Sequence, residues 1–177
     1  MMLSIEGWKL GLRFSACHLI PKHKKCSRLH GHTYTVNARV YGSADDNHMI
    51  MDFGELKKAL RGTYEKLDHK LMVASANEFT RIIDLDDLSD VVNNYGCEPK
   101  TQIPVPGYYE LIVLDKHYIL PKTDVEIIET HSTTAEELAS YFLKGLLDSL
   151  EIPQNVTKVE VGIEEGEGQG AWATIEL

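Results

Sequence analysis

The sequence predicts a domain of the α+β class. Segments in which apolar and polar residues alternate indicate strands, and two segments with apolar residues four positions apart indicate helices. Strands and helices do not alternate regularly, which argues against a parallel α/β fold. The length of 177 residues fits one domain, or one domain that carries an insertion.

The first two strands are predicted near the N-terminus. Apolar residues alternate with polar ones over residues 8–18, and His18 continues the apolar positions. A basic, proline-containing loop follows. The next strand is predicted over about 30–41, where His30 and His32 share one face with the apolar residues that follow them.

Capping patterns locate the two helices. Asp52 begins a capping-box pattern that predicts a helix over about 53–67, and Thr133 begins the same pattern before a helix predicted over about 134–150. After the second helix, apolar and charged residues alternate again. This alternation predicts a strand over 156–165.

The region between them, about 75–130, is less regular. Two β-rich runs, 109–115 and 117–121, predict a hairpin that turns around Lys116. The acidic run 84–90 indicates a surface loop.

Composition argues against several classes of protein. The formal net charge of −9 disfavours binding of nucleic acid over the whole surface. The apolar runs are far shorter than the roughly 18–20 residues that cross a bilayer, and the N-terminus lacks a signal-peptide pattern, so we expect a cytoplasmic protein without a membrane partner. Cys17, Cys26 and Cys97 form no CxxC pair, which argues against a disulfide framework and a four-thiolate zinc site.

Three histidines form a candidate metal site. His30 and His32 stand two residues apart, so their side chains leave one face of a strand about 6–7 Å apart along it. His18 has the same parity on the preceding strand and could supply a third ligand, which would leave a fourth position open for water or substrate. The alternatives are that each histidine is separately hydrogen-bonded in the core, or that Cys26 is a fourth, structural ligand.

Other residues suggest acid–base chemistry. Cys26 lies in the basic loop, where positive charge would favour the thiolate, although an inert thiol fits equally well. Asp68 beside His69 could form an acid–base pair, or could simply end a helix. The members of the basic loop, which face either solvent or an anionic substrate, are Lys22, His23, Lys24, Lys25 and Arg28.

Glu165 continues the apolar parity of the strand predicted over 156–165. Its carboxylate would then point into a pocket, where it needs a partner such as an amidine-like ligand edge. If the strand has already ended, Glu165 lies in solvent. Glu164 has the opposite parity and is expected to face solvent.

Six segments together resemble the 6-pyruvoyl-tetrahydropterin synthase family. FSACHL resembles the family's FSAAH strand, CSRLHGHTY its CxxxHGHxY motif, and MIMDFGELK the turn and helix start that follow. LDHK resembles its Asp-His step, TTAEELA its PTAENLA helix start, and VGIEE its Glu-terminated strand. The segments keep the family's order and cover both ends of the chain, and their combination is specific.

This resemblance implies the tunnelling T-fold, in which a four-stranded antiparallel sheet is backed by two helices on one face. Such domains assemble into barrels, usually hexamers, with active sites between subunits. The resemblance also implies Zn²⁺ bound by His18, His30 and His32. Cys26 would be the base that abstracts a proton from the substrate, a dihydroneopterin triphosphate.

Further roles are implied for residues in the second half of the chain. Asp68 and His69 would form a proton relay with Glu165, which would also hold the pterin ring. Thr134 and Glu136 would lie near that ring. The basic loop would neutralise the triphosphate.

The spacing within one motif bears on the product. Three residues separate Cys26 from His30, which resembles the 6-carboxy-tetrahydropterin synthases of 7-deazaguanine (queuosine or archaeosine) biosynthesis. These convert 7,8-dihydroneopterin triphosphate to 6-carboxytetrahydropterin, acetaldehyde and triphosphate. The pyruvoyl branch and a non-catalytic pterin- or metal-binding relative are the alternatives. The insertion of about 75–130, and Cys17 in place of the usual alanine, depart from the family pattern.

Overall fold

The computed structural model describes residues 1–86, Ser89 and 106–177; Cys97 and part of the acidic run 84–90 lie outside them. The strands and longer helices of the described residues are β1 (Met2–Ile5), α1 (Gly7–Leu10), β2 (Arg13–His18), β3 (His30–Gly42), α2 (Phe53–Tyr64), β4 (Leu71–Ala74), β5 (Thr80–Leu85), β6 (Tyr108–Val113), β7 (Lys116–Pro121), β8 (Val125–Ile128), α3 (Ala135–Ser149), β9 (Val156–Glu165) and β10 (Gly170–Glu176).

The main sheet is larger than the four antiparallel strands expected. It has seven strands in the order β10-β9-β3-β2-β4-β8, and β1 pairs with β3. The strands β10, β9, β3 and β2 form an antiparallel group of four, to which β4 and β8 are added in parallel. All four residues of β4 are buried, so this strand shows no alternation that could predict it.

The hydrophobic core lies between the main sheet and the pair of helices α2 and α3. Phe14 of β2 stacks on Tyr34 of β3 at 5.0 Å between ring centroids, and on Phe142 of α3 at 5.6 Å. Leu56 and Leu60 of α2 are fully buried in the same cluster. Phe14 and Tyr34 have the same parity on their strands as the candidate metal ligands. The ligands therefore lie on the core face of the sheet, at its end.

The insertion contains a second sheet. Strands β5, β6 and β7 are antiparallel, and the β6–β7 turn lies at Leu114 and Asp115, just before Lys116. Leu111 of β6 packs with Leu71 and Val125, so the small sheet covers the β4–β8 part of the main sheet.

Two predicted elements begin later than their patterns indicated. Residues 8–18 do not form one strand, because α1 occupies the first part and ends at Gly11, whose φ of 68° is left-handed. Asp52 caps α2 through bonds from the amides of the first turn, but the cap residue of α3 is Thr134, not Thr133. The Thr133 hydroxyl donates instead to the Leu19 carbonyl at 3.1 Å.

Candidate metal centre and surrounding site

The pairing of β2 with β3 brings the three histidines together. His18 lies directly opposite His30, and His32 lies opposite the neighbouring residue Ala16. One nitrogen from each imidazole lies within 4.8 Å of the others, and the Nε2 atoms of His18 and His30 are 3.1 Å apart. Two nitrogens bound to one tetrahedral zinc ion lie roughly 3.3 Å apart, so this spacing suits a metal.

Backbone carbonyls orient two of these rings. The Nδ1 atoms of His18 and His30 lie 2.9 Å from the Thr133 carbonyl and 2.8 Å from the Arg28 carbonyl, respectively. Because a carbonyl only accepts, each Nδ1 carries the proton and each Nε2 presents a lone pair to the other. A cation between the rings would relieve the repulsion of these lone pairs, and such outer hydrogen bonds are usual for histidine ligands.

A proton shared between the two Nε2 atoms would also relieve this repulsion, but it binds there only weakly. The pKa of His18 is lowered to about 4, chiefly by burial and in smaller part by the neighbouring imidazoles His30 and His32, against a rise from the hydrogen bond with the Thr133 carbonyl. The Nε2 atom of His32 is buried and has no hydrogen-bond partner among the described residues. The three histidines therefore fit a divalent metal ion and could hold one.

Glu165 faces the histidines and not solvent. It pairs with Tyr34 across β9 and β3, and its side chain is 22% exposed. Its two carboxylate oxygens lie 3.9 Å from the Nε2 atoms of His18 and His32, one oxygen to each ring. Glu164 points to the other face but is not free in solvent, because Trp8 donates to its carboxylate at 2.7 Å.

Tyr34 is a site residue that sequence reasoning missed. Its ring stands edge-on to both His18 and His32, and its buried hydroxyl has no hydrogen-bond partner among the described residues. Burial, followed by the charge of Glu165, raises the pKa of Tyr34. The sequence signal for Tyr34 was its place in the HGHTYTV run, two residues after the second histidine and on the same face of the strand.

Cys26 lies outside the metal cluster, in a compact turn. The Ile20 amide donates to the Cys26 carbonyl at 2.7 Å, and the Cys26 amide donates to Nδ1 of His23 at 3.0 Å. The thiol is half-buried and does not belong to the described group of ligand atoms. The geometry thus favours three histidine ligands over a structural site that includes Cys26. His23, which orders the turn, had no separate sequence signal.

Asp68 and His69 form a pair that makes no direct bond to Glu165 among the described residues. Nδ1 of His69 is 3.0 Å from the Asp68 carboxylate, and both residues bond to the backbone of Ser15 at the edge of β2. The His69 side chain is 83% exposed, and in the described part of the chain no hydrogen bond or ion pair joins it to Cys26 or Glu165. It lines an open cavity of about 590 Å³ that also reaches His32.

The start of α3 supports the site through Thr133. The carbonyl of Thr133 bonds to His18, whereas the side chain of Thr134 makes no capping hydrogen bond. Glu136 lies in the first turn of α3 and is exposed. The structure therefore brings Thr133, and not Glu136, into contact with the histidines.

Comparison with known proteins identifies a family and several relatives. The model of the family described as 6-pyruvoyl tetrahydropterin synthase matches residues 9–176. A protein of Methanocaldococcus jannaschii, provisionally named a 6-carboxy-5,6,7,8-tetrahydropterin synthase, is 36% identical over 97% of this chain and 94% of its own length. The 6-carboxy-5,6,7,8-tetrahydropterin synthase of Bacillus subtilis is 45% identical over 34% of this chain and 42% of its own length.

A solved structure shares the fold. The crystal structure of 6-pyruvoyl tetrahydropterin synthase from Plasmodium vivax aligns with a TM-score of 0.82 and 22% identity, covering 100% of this chain and 98% of that one. The helices described here are all too short or too polar to span a membrane.

Proposed function

The chain belongs to the 6-pyruvoyl tetrahydropterin synthase family, and we propose that it is a zinc-dependent lyase of the 6-carboxy-tetrahydropterin branch. The reaction would convert 7,8-dihydroneopterin triphosphate, with uptake of water, to 6-carboxy-5,6,7,8-tetrahydropterin, acetaldehyde and triphosphate. The names of the two relatives support this branch, as does the spacing between Cys26 and His30. The enzyme would act in the cytoplasm, in the 7-deazaguanine pathway.

The observation that carries the proposal is the cluster of His18, His30 and His32 with Glu165 beside it. Three neutral imidazoles leave a coordination position open, and a bound zinc ion would supply Lewis-acid polarisation of the substrate's side-chain oxygens. The carbonyls of Thr133 and Arg28 hold two of the imidazoles in the required tautomer. The chain's own part in this chemistry is to fix that geometry before substrate arrives.

Glu165 would bind the pterin. One of its carboxylate oxygens is buried without a hydrogen-bond partner in the described structure, which is costly unless a ligand supplies a donor. The aminopyrimidine edge of a pterin presents adjacent N–H donors that match the two oxygens of a carboxylate. Glu165 would thereby place the pterin side chain next to the three histidines. Thr134 and Glu136 would lie near the same ring.

Cys26 would remove a proton from the substrate, and the basic loop around it would meet the triphosphate. Lys24, Lys25 and Arg28 are exposed, so their charges are available to an anion. Asp68 and His69 would act on a second copy of the chain, because His69 is exposed and forms no hydrogen bond or ion pair with Cys26 or Glu165 in its own described chain. This supports active sites that lie between subunits of a homo-oligomer, proposed as a hexamer.

Product analysis tests the proposal. Zinc-loaded protein is incubated with 7,8-dihydroneopterin triphosphate, and pterins and acetaldehyde are measured together. We expect carboxytetrahydropterin and acetaldehyde in equal amounts. A pyruvoyl product without acetaldehyde would assign the chain to the triphosphate-eliminating branch instead, and tight pterin binding without turnover would indicate a non-catalytic relative.

Cys26→Ala separates catalysis from metal binding in the same assay. We expect the variant to keep zinc at full stoichiometry and to lose turnover, because the thiol is not among the described metal ligands. Loss of zinc would support the alternative in which Cys26 is a structural ligand.

A further inference from the structure

Backbone hydrogen bonds within the loop that carries Cys26 fix the shape of that loop. The amide of Ile20 bonds to the Cys26 carbonyl, and the amide of Ser27 bonds to the His23 carbonyl at 3.1 Å. Residues 22–25 are exposed. A loop of this kind keeps its internal shape, but its placement relative to the metal cluster depends on what holds its base.

The base of the loop rests on the inserted sheet. Pro21 is buried, and it lines a small internal cavity with Leu19 and with two residues of β6, Leu111 and Val113. The Thr133 hydroxyl bonds to the Leu19 carbonyl on the other side. The base of the Cys26 loop is thus packed between the insertion and the segment that orients His18.

One side chain of the insertion reaches the loop directly. The ammonium of Lys22 lies 3.6 Å from the centre of the Phe79 ring, a distance at which cation and ring attract. Phe79 is itself fixed, since its amide donates to the Asn77 side chain at 3.0 Å and its carbonyl accepts from the Leu114 amide at 3.2 Å. Asn77 in turn donates to the His131 carbonyl at 2.7 Å.

We propose that Phe79 is a positioning residue for Cys26: the insertion holds the Cys26 loop, whose Arg28 carbonyl bonds to His30, in place beside the metal cluster through the contact of Phe79 with Lys22. This rests on the proposed role of Cys26 as the proton-abstracting base. The insertion then contributes to the active site, although none of its described residues is a candidate metal ligand. The aromatic face is what matters, because an aliphatic side chain fills the space but does not attract the ammonium.

Hydrogen exchange and turnover in matched variants test this inference. Phe79→Leu keeps apolar bulk and removes the ring, whereas Phe79→Tyr keeps the ring. We expect Phe79→Leu to speed amide exchange in residues 20–28 and to lower kcat by on the order of two- to fivefold with zinc content unchanged. Phe79→Tyr should keep loop exchange and kcat at their wild-type values. Arg81→Gln, a change at an exposed residue of the adjoining strand, should alter neither quantity.

Lys22→Met provides the other half of the test. It should speed exchange in the loop as Phe79→Leu does, and the double variant should add nothing further, because both changes remove the same contact. Exchange in residues 20–28 that matches wild type in Phe79→Leu, or a defect in Phe79→Tyr as large as in Phe79→Leu, would overturn the inference. Full turnover by Cys26→Ala would instead overturn the role of Cys26. Amide exchange of residues 20–28 in the Phe79 and Lys22 variants would still report separately on the contact between these two residues.

Discussion

At the scale of single residues, the site is marked by polar atoms that are buried without partners. Nε2 of His32, the hydroxyl of Tyr34 and one carboxylate oxygen of Glu165 share this property within the described residues. Because leaving such a group unpaired costs about 1–3 kcal/mol, each of these atoms indicates a place where a ligand would bind. A metal ion and a polar ligand would remove that cost.

Glu165→Gln tests the pterin contact. The substitution keeps the shape of the side chain but removes its charge and one acceptor, so we expect pterin affinity to fall by about tenfold or more. Titration of pterin followed by fluorescence would measure this. Glu164→Gln is the matched control, since Glu164 points to the other face of β9 and bonds to Trp8. Equal losses in the two variants would contradict the assignment of Glu165.

His32→Ala tests the metal site. Removal of one of three ligands should reduce the zinc retained after dialysis to well below one ion per chain, because two imidazoles bind the ion much more weakly than three. His48→Asn is the control, because His48 is exposed, lies in the turn after β3 and has a φ of 62°, a backbone conformation that asparagine tolerates. Full zinc retention in His32→Ala would exclude the three-histidine site.

At the scale of elements, the outer face of β3 and β9 carries an ion-pair network. Glu160 accepts from Lys158 at 2.9 Å and from Tyr41 at 3.0 Å, and it lies 3.6 Å from Arg39. The hydrogen bond from Lys158, followed by that from Tyr41, lowers the pKa of Glu160 despite its partial burial. The network therefore joins neighbouring strands on the face opposite the helices.

Glu160→Gln should make this contribution visible as a pH dependence. A carboxylate whose pKa is lower in the folded state stabilises the fold above its unfolded pKa of 4.5, and that stability is lost as the pH falls. We expect the variant to be about 1 kcal/mol less stable than wild type in urea unfolding at pH 7, with the difference shrinking below pH 4.5. Glu167→Gln, a change in the exposed turn after β9, should show no such dependence.

At the scale of the whole molecule, the described contacts within one chain do not join all the groups that the proposed chemistry needs together. His69 pairs with Asp68 beside β2, and in the described part of the chain no hydrogen bond or ion pair joins this pair to Cys26 or Glu165. A homo-oligomer would resolve the separation if one copy supplied His69 to the site of another. The open cavity next to His69 leaves room for such a contact.

Mixing two inactive variants tests this arrangement. Cys26→Ala and His69→Ala chains each lack one group, so exchange of subunits should create sites in which both wild-type residues meet. For random mixing at equal amounts, we expect recovery of about a quarter of the wild-type activity per site. Native mass spectrometry would establish that the subunits have exchanged. Exchanged oligomers that remain inactive would place both residues of each site in one chain.

Local patterns predicted much of the fold. The strands that carry His30, His32 and Glu165 alternate strongly, and the helix after Asp52 has a clear cap, so these elements lie close to where the sequence indicated them. The strand expected over 8–18 was wrong in its first part, because the alternation of residues 8–12 resembles a strand although Gly11 ends a short helix there. Strands β4 and β8 are short and mostly apolar, which gives no period to detect.

The sequence alone determined which face of β2 and β3 holds the three histidines, since side-chain direction in a strand depends only on position along it. Tertiary structure decided the rest, because it depends on contacts between distant segments. It brought the Thr133 carbonyl to His18, continued the β3–β9 pairing as far as Glu165, left His69 exposed, and placed Phe79 of the insertion against Lys22 of the Cys26 loop. Residue parity thus defined the metal cluster, and long-range packing defined its surroundings.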